Sequence, residues 1–230
     1  MNKISIIIPV YNEVEHIQST LLYIESVLSK TVAYEIIVVD GGSVDGTKEK
    51  INPTETILLI ESPKSRAKQM NAGAKVATGN ILYFLHCDSE PPENFDLAIQ
   101  KQIEKGKRAG CFRMKFDLNH PLLMVSQWFT RFNHISCRGG DQSLFVCKKL
   151  FDTIGGFNED FVIYEDNEII ERLYAKKQFI VLPQYVITSA RKYKKNGIWR
   201  LQYHFGIIHL KRKLGYPITN LQAYYKKNIL

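Results

Sequence analysis

The sequence predicts an α/β fold, a mostly parallel central sheet with helices on both faces. Three observations carry that expectation. Short apolar runs with β-branched residues alternate with helical periodicities four times before residue 105. Polar residues stand directly after the first, second and fourth runs, where ligands sit in sheets of this kind. No apolar run approaches the ~18 residues of a membrane-spanning helix.

Taken in order, KISIIIPV is the first strand. Asn12 is placed to N-cap the next helix, with Glu15 as capping-box partner, and Ile17, Leu21, Ile24 and Leu28 then recur at helical spacing. YEIIVVD is a second strand ending at Asp40, and GGSVDGT a turn into a short helix. TILLI is a third strand. SRAKQMNAGAKVA is helical, with Ala67, Met70, Ala74 and Ala77 on one face. NILYFL is the fourth strand, and a further helix runs to about Lys105.

The second half is less regular. AGCFRMKFDL alternates like an antiparallel strand, and PLLMVSQWFTRFNH reads as an apolar-faced helix. SLFV is a short strand, followed by a helix stopped at Gly155 and Gly156. EDNEIIERLYAKK is an amphipathic helix with an acidic first turn, and FIVLP and YVITSA read as two strands. Residues 198–213 mix aromatic, aliphatic and basic side chains at near-helical spacing. No internal repeat or linker interrupts the chain. The expected organisation is one domain over 1–230: a nucleotide-binding half (1–105), an acceptor and catalytic half (106–190) and a basic C-terminal extension (191–230).

Composition narrows the class. With 230 residues and 45% hydrophobic content the chain can bury a core and is not disordered. MNKISIIIPVYNE lacks the long apolar region of a signal peptide. Cys87, Cys111, Cys137 and Cys147 form no CxxC pair, which fits free thiols in a reducing cytosol. The net charge of +8 is unevenly spread: from Arg172 onward there are 13 Lys or Arg and no acid, whereas the preceding residues hold 18 basic against 23 acidic. A tail of that kind suits a phosphorylated ligand, an anionic membrane surface or nucleic acid.

Read from residue chemistry alone, each candidate has two accounts. Asp40 either accepts a hydrogen bond from a nucleobase N–H or closes a turn on the amides of Gly42 and Ser43. GGSVDGT is neither GxGxxG nor a P-loop. Pro9 and Tyr11 offer flat apolar surface to a base, or simply form a strand-to-helix corner. Arg66, near a helix start, suits an anion, or belongs to a solvated face, as Lys64 and Lys68 do. Asp88 in HCDS either ligates a hard cation or belongs to a surface turn at the strand end; His86 is a second ligand, which would favour Mn²⁺ over Mg²⁺, or a structural histidine. Glu165 and Asp166 either supply a general base or cap a helix. Asp141 binds sugar hydroxyls or marks a turn before a strand.

The strings SIIIPVYNE, IIVVDGGSVDGT, FLHCDSEPP, GGF and YEDNEI occur in the order found in family 2 glycosyltransferases, which this chain resembles over nearly its whole length. SPKSRAKQMNAGAKVATGN, GCFRMKFD, GGDQSLFV and TSARKYKKNGIWR further resemble a small bacterial subgroup with His-x-Asp where many members have Asp-x-Asp. The resemblance implies a GT-A fold, a nucleotide-sugar donor, a divalent cation (Mn²⁺ or Mg²⁺) and inversion at the anomeric carbon. It implies a base-binding wall at Pro9, Tyr11 and Glu13, base contact at Asp40, and donor contacts at Gly42, Ser43, Arg66, Asp141 and Arg191. Asp88, with His86 beside it, matches the metal position. Asp166 matches the catalytic base, with Glu165 the alternative.

The expected activity is transfer of a hexose-type sugar from a nucleotide-diphosphate donor, UDP-linked, to a hydroxyl acceptor. Its alternative is a nucleotide-binding or membrane-surface protein on the same fold without turnover. A nucleotidyltransferase would need a Gly-rich loop with a basic residue after the first strand, which PVYNEVEHI lacks. The tail either folds over the diphosphate through Arg191 or rests on anionic lipid; no nucleic-acid motif accompanies it. The expected location is the cytoplasm, with a peripheral position on the inner membrane face if the tail binds lipid.

Overall fold

A computed structural model describes residues 2–229, so the two end residues of the 1–230 domain lie outside it. Four parallel strands open the chain: β1 (Lys3–Val10), β2 (Ala33–Asp40), β3 (Ile57–Glu61) and β4 (Ile81–Phe84). Between them lie α1 (Ile17–Val27) and α2 (Arg66–Val76). Then come β5 (Ser89–Glu90), α3 (Phe95–Glu104), β6 (Ala109–Phe116), α4 (Pro121–Phe129), β7 (Leu144–Cys147), α5 (Lys148–Thr153), α6 (Glu165–Ala175) and β8 (Phe179–Thr188). Three helices close the chain: α7 (Arg191–Asn196), α8 (Ile198–Lys213) and α9 (Ile218–Asn228). All eight strands join one sheet in the order β3-β2-β1-β4-β7-β6-β8-β5.

The β1 run is almost wholly apolar because both of its faces are covered. Ile4, Ile6 and Ile8 join Ile17, Leu21 and Ile24 of α1 on one side. Ile7 meets Ala67, Met70 and Ala74 of α2 on the other. Each fully buried isoleucine contributes about 1.5–3 kcal/mol. α2 lies so close that a Cβ at Gly73 would meet Ile7 Cγ2 at 2.5 Å. That face is therefore built from alanine, methionine and glycine.

Four expectations change. Asn12 does not cap α1; it sits at φ 55°, and its Oδ1 accepts from the Val44 amide. The helix starts at Ile17 with no side-chain cap at its N-cap, His16, so bracing the neighbouring loop has won over capping. β6 is antiparallel only to β7 and runs parallel to β8. FIVLP and YVITSA form one strand. Between the pairs Phe112↔Leu182 and Arg113↔Tyr185 the register jumps, and the two unmatched residues are Pro183 and Gln184. A proline that cannot donate to a ladder is accommodated at such an irregularity. Finally, residues 191–229 are more than a basic extension of the domain. α7, α8 and α9 build their own small core from Tyr193, Leu201, Ile208 and Ile229, together with Leu123 of α4 and Ala190.

Candidate active site

The carboxyl ends of β1 and β4 open into a cavity of about 1060 Å³. Its lining brings together Pro9, Tyr11, Glu13, Arg66, His86, Asp88, Asp141, Glu165, Asp166 and Arg191, which the sequence scatters over 180 positions. Asp40, Gly42 and Ser43 do not line it. Asp40 is fully buried, and its Oδ2 accepts from the amides of Gly42 and Ser43, both at 2.8 Å. The turn account thus describes one of its oxygens. Oδ1 is buried without a partner among the described residues, an acceptor left free. The Ser43 hydroxyl in turn accepts from the Asn12 amide at 2.9 Å, so this loop fixes the backbone behind Tyr11.

Side chains at the strand ends are held by charge. The Arg191 guanidinium donates to both Glu13 oxygens, at 2.7 and 2.5 Å, and lies 3.3 Å from Asp88 Oδ2. These partners raise the Arg191 pKa: the Glu13 bonds act first, and burial opposes them. Arg66, at the first turn of α2, lies 3.7 Å from Glu165 Oε1. Against the desolvation of the cavity walls, Glu165, Asp166, Asp141 and Asp88 hold it charged. Lys64 Nζ lies 3.5 Å from the centroid of the Tyr11 ring, over the face a base would use.

Asp166 is one of three carboxyls of the cluster whose pKa is raised, with Glu165 and Asp141. Burial raises it, the neighbouring Glu165 and Asp141 raise it further, and Arg66 opposes, leaving it at about 8. Glu165 is also raised by burial, with Arg66 opposing. A Cβ at Gly140 would meet Asp166 Oδ2 at 2.0 Å, so only glycine leaves that carboxylate its place. Tyr164, just before α6, takes a left-handed φ of 70°, a conformation costly for an aromatic residue and recurrent at functional sites. His86 is neutral: burial, with Arg66 and Lys192 nearby, pushes it down to about 3. Its ring nitrogens lie 3.9 Å from Asp141 and 3.8 Å from Asp166, too long for hydrogen bonds.

Among the described residues no three His, Cys, Asp or Glu gather as a cage for a free metal ion. One oxygen, Asp88 Oδ2, already faces a cation, the Arg191 guanidinium. That donor set suits a hard cation delivered with a diphosphate, which needs only one or two protein oxygens.

Several lining residues carry no motif. Gln69, buried in α2, donates from Nε2 to the carbonyls of Val10 and Val39 and ties the ends of β1 and β2 together. Its signal was a polar residue one step from the apolar stripe. Lys192, Tyr193, Phe205 and Tyr225 form the wall contributed by α7–α9. Lys192 and Tyr193 lie within TSARKYKKNGIWR, whereas nothing in the sequence context of Phe205 and Tyr225 marks them as cavity residues. Cys87 and Cys137 also reach the lining, and burial pushes the Cys87 thiol up to about 12.

Known proteins share parts of this sequence and its fold. The glycosyltransferase AglE of Haloferax volcanii is 38% identical over 98 residues, 40% of this chain and 32% of the relative. The uncharacterized glycosyltransferase YibD of Escherichia coli is 33% identical across 93% of this chain and 70% of its own length. The match thus spans about a third of the archaeal relative and about two thirds of the bacterial one. Among solved structures, the mannosyltransferase PcManGT from Pyrobaculum calidifontis, in complex with GDP-Man and Mn²⁺, superposes with a TM-score of 0.71 at 19% identity, over 97% of this chain and 69% of that one. Residues 1–349 of S. aureus TarS in complex with UDP give 0.65 at 19% identity, over 81% and 60%. The fold is that of the GT-A enzymes. The family model described as "Glycosyl transferase family 2" matches residues 5–157, which include the carboxyl ends of all four parallel strands, and the chain belongs to that family.

Proposed function

We propose that this protein transfers a hexose-type sugar from a nucleotide-diphosphate donor, UDP-linked, to a hydroxyl acceptor with inversion. One observation carries the reading: Glu13, Arg66, Asp88, Asp166 and Arg191 line a single cavity at the carboxyl edge of the sheet. The base stacks at Pro9 and Tyr11 once the Lys64 ammonium moves aside. The free Oδ1 of Asp40 is the acceptor that a base N–H would satisfy; Gly42 and Ser43 hold that carboxylate from behind. Residues 1–105 serve the nucleotide and 106–190 the sugar and acceptor, with 191–230 closing the site.

Asp166 takes the proton from the acceptor hydroxyl as its oxygen attacks the anomeric carbon and the bond to the diphosphate breaks. Glu165 is the second choice for that role. Asp141 bonds sugar hydroxyls. Arg66 and Arg191 offset charge on the departing diphosphate. Asp88 would hold a Mg²⁺ or Mn²⁺ ion, with His86 as a neutral second ligand; when bound, the ion supplies further charge neutralisation on the diphosphate.

We place the protein at the cytoplasmic membrane face. No helix among the described residues is long and apolar enough to cross a bilayer. Yet α4 exposes Met124, Val125 and Trp128, with Arg131 stacked on Trp128 at 4.8 Å. Such a basic and aromatic surface suits an anionic bilayer. Flotation with phosphatidylglycerol vesicles tests this: unchanged binding in Trp128→Ser and Val125→Ser would remove it.

The activity itself is tested by calorimetry with UDP and with GDP, each with and without Mn²⁺, followed by donor turnover. Nucleotide binding without turnover on any donor would point to a silent relative. No nucleotide binding would end the proposal.

A further inference from the structure

The cavity is sorted by charge. Its carboxylates, Glu13, Asp88, Asp141, Glu165 and Asp166, all precede the C-terminal helices. The wall from α7–α9 contributes no carboxylate, only the cations Arg191, Lys192 and Lys226 among charged residues. Arg191 already holds Glu13 and Asp88. Lys192 points elsewhere. Its Nζ donates to the Tyr225 hydroxyl and lies 4.9 Å from the Tyr225 ring centroid and 5.8 Å from that of Phe205. Among the described residues no carboxylate pairs with it. A half-buried ammonium facing a cavity with only a phenol and aromatic faces for company has spare capacity for an anion.

We propose that Lys192 and Tyr225 form an anion subsite for the acceptor, a hydroxyl compound that also carries a phosphate or carboxylate group. The inference rests on the glycosyltransferase reading and names the acceptor class for that same site. The donor diphosphate would be served by Arg66, Arg191 and a cation held at Asp88, which leaves Lys192, on the α7–α9 wall that contributes no carboxylate, for a second anion. An acceptor anchored there by its anion, with its apolar part against Phe205, can direct a hydroxyl toward Asp166, which lines the same cavity. The Lys192 charge is felt at His86, Asp141 and Glu165, which puts it within electrostatic reach of the reacting end.

The test uses the full chain saturated with UDP and Mn²⁺, or without nucleotide if none binds. Glucose 6-phosphate, glucuronic acid and methyl glucoside are titrated by ligand-observed NMR. At least one anionic sugar is expected to bind about tenfold tighter than the neutral one, the scale of a charge-assisted hydrogen bond. Lys192→Met should abolish the preference and Lys192→Arg should keep it, with UDP affinity within about twofold in both. Tyr225→Phe, which retains the ring, should reduce the preference and serves if Lys192→Met does not fold. Indistinguishable affinities for the three sugars, whether all bind or none does, overturn the proposal. So does a preference that survives Lys192→Met, or a Lys192→Met loss that falls on UDP instead. Failure of the wild type to bind any nucleotide is a separate result: it strikes the glycosyltransferase reading, and the sugar preference is still read without it.

Discussion

The two walls of the cavity are built differently. The sheet-edge wall hangs its side chains from strands whose Ile4, Ile6, Ile7 and Ile8 are completely buried, with helices on both faces. The helical wall rests on a small cluster and leaves Trp199 and Tyr203 mostly exposed. The residues proposed for the chemistry sit on, or press against, the deeper core; those proposed to meet the acceptor sit on the shallower one. A stiff frame for the chemistry and a more yielding cap for selection is the arrangement expected where local stability differs across a molecule.

The contrast can be broken at several points, from the largest effect on turnover to the smallest. Asp166→Asn should lower kcat by about 10²–10⁴-fold, the range for losing a general base, and leave nucleotide affinity unchanged in calorimetry. An unaltered rate would remove Asp166 from the mechanism. Gly140→Ala forces a methyl group onto the Asp166 carboxylate and should cost roughly 10²-fold in kcat through misplacement. A wild-type rate there would mean that the wall yields where it is expected to be stiff.

The pH dependence follows from the raised Asp166. A base must be deprotonated, so kcat/KM should climb about tenfold per pH unit below about 8 and then level off. Stability moves the other way. The folded state keeps this proton up to about 8, whereas an unfolded aspartate releases it near about 3.9. Between those values the native state binds more protons, and stability falls as pH rises. Asp166→Asn should therefore raise Tm at pH 8 relative to wild type and change it little at pH 4. Equal Tm differences at both pH values would contradict the raised carboxyl.

Leu201→Ala, deep in the helical cap, should cost roughly 2–5 kcal/mol. It should speed amide exchange in α7–α9 before it does so in the parallel strands; simultaneous loosening would erase the distinction between the walls. Glu35 lies at the far end of the sheet and accepts from Ser5 (2.5 Å), Lys3 (3.0 Å) and the Thr78 amide (2.7 Å). Burial opposes its ionisation, but these bonds outweigh it and lower its pKa to about 2. The stability it supplies is present above the unfolded value and is lost as pH falls through about 2. Glu35→Gln should leave kcat alone, lower stability by roughly 1–3 kcal/mol at pH 7, and flatten the acid limb of an unfolding curve.

Much of the sheet-edge wall was legible in the sequence. Period and strand composition locate the four parallel strands, and the apolar stripe of α2 comes through because Ala67, Met70, Ala74 and Ala77 are all buried. Pro9, Tyr11, Glu13, His86 and Asp88 reach the cavity because the end of a parallel strand is a fixed address. Asp40 shares that address but turns inward, since its loop amides compete for the carboxylate. The helical wall was legible only as helix. Residues 198–213 have the right period, but which face meets the cavity depends on tertiary docking that no local pattern encodes. Lys192 and Tyr225 belong to common residue types in a basic stretch, so their chemistry appears only once α7 and α9 are side by side.

The Arg191–Glu13 clasp joins residues 178 positions apart. During synthesis Arg191 emerges 178 residues after Glu13, at about 5–20 residues per second. The parallel strands are thus complete many seconds before that counter-charge arrives. A ribosome-bound intermediate would carry an open, acidic cleft, and competence to grip a donor should switch on only once α7 has left the exit tunnel.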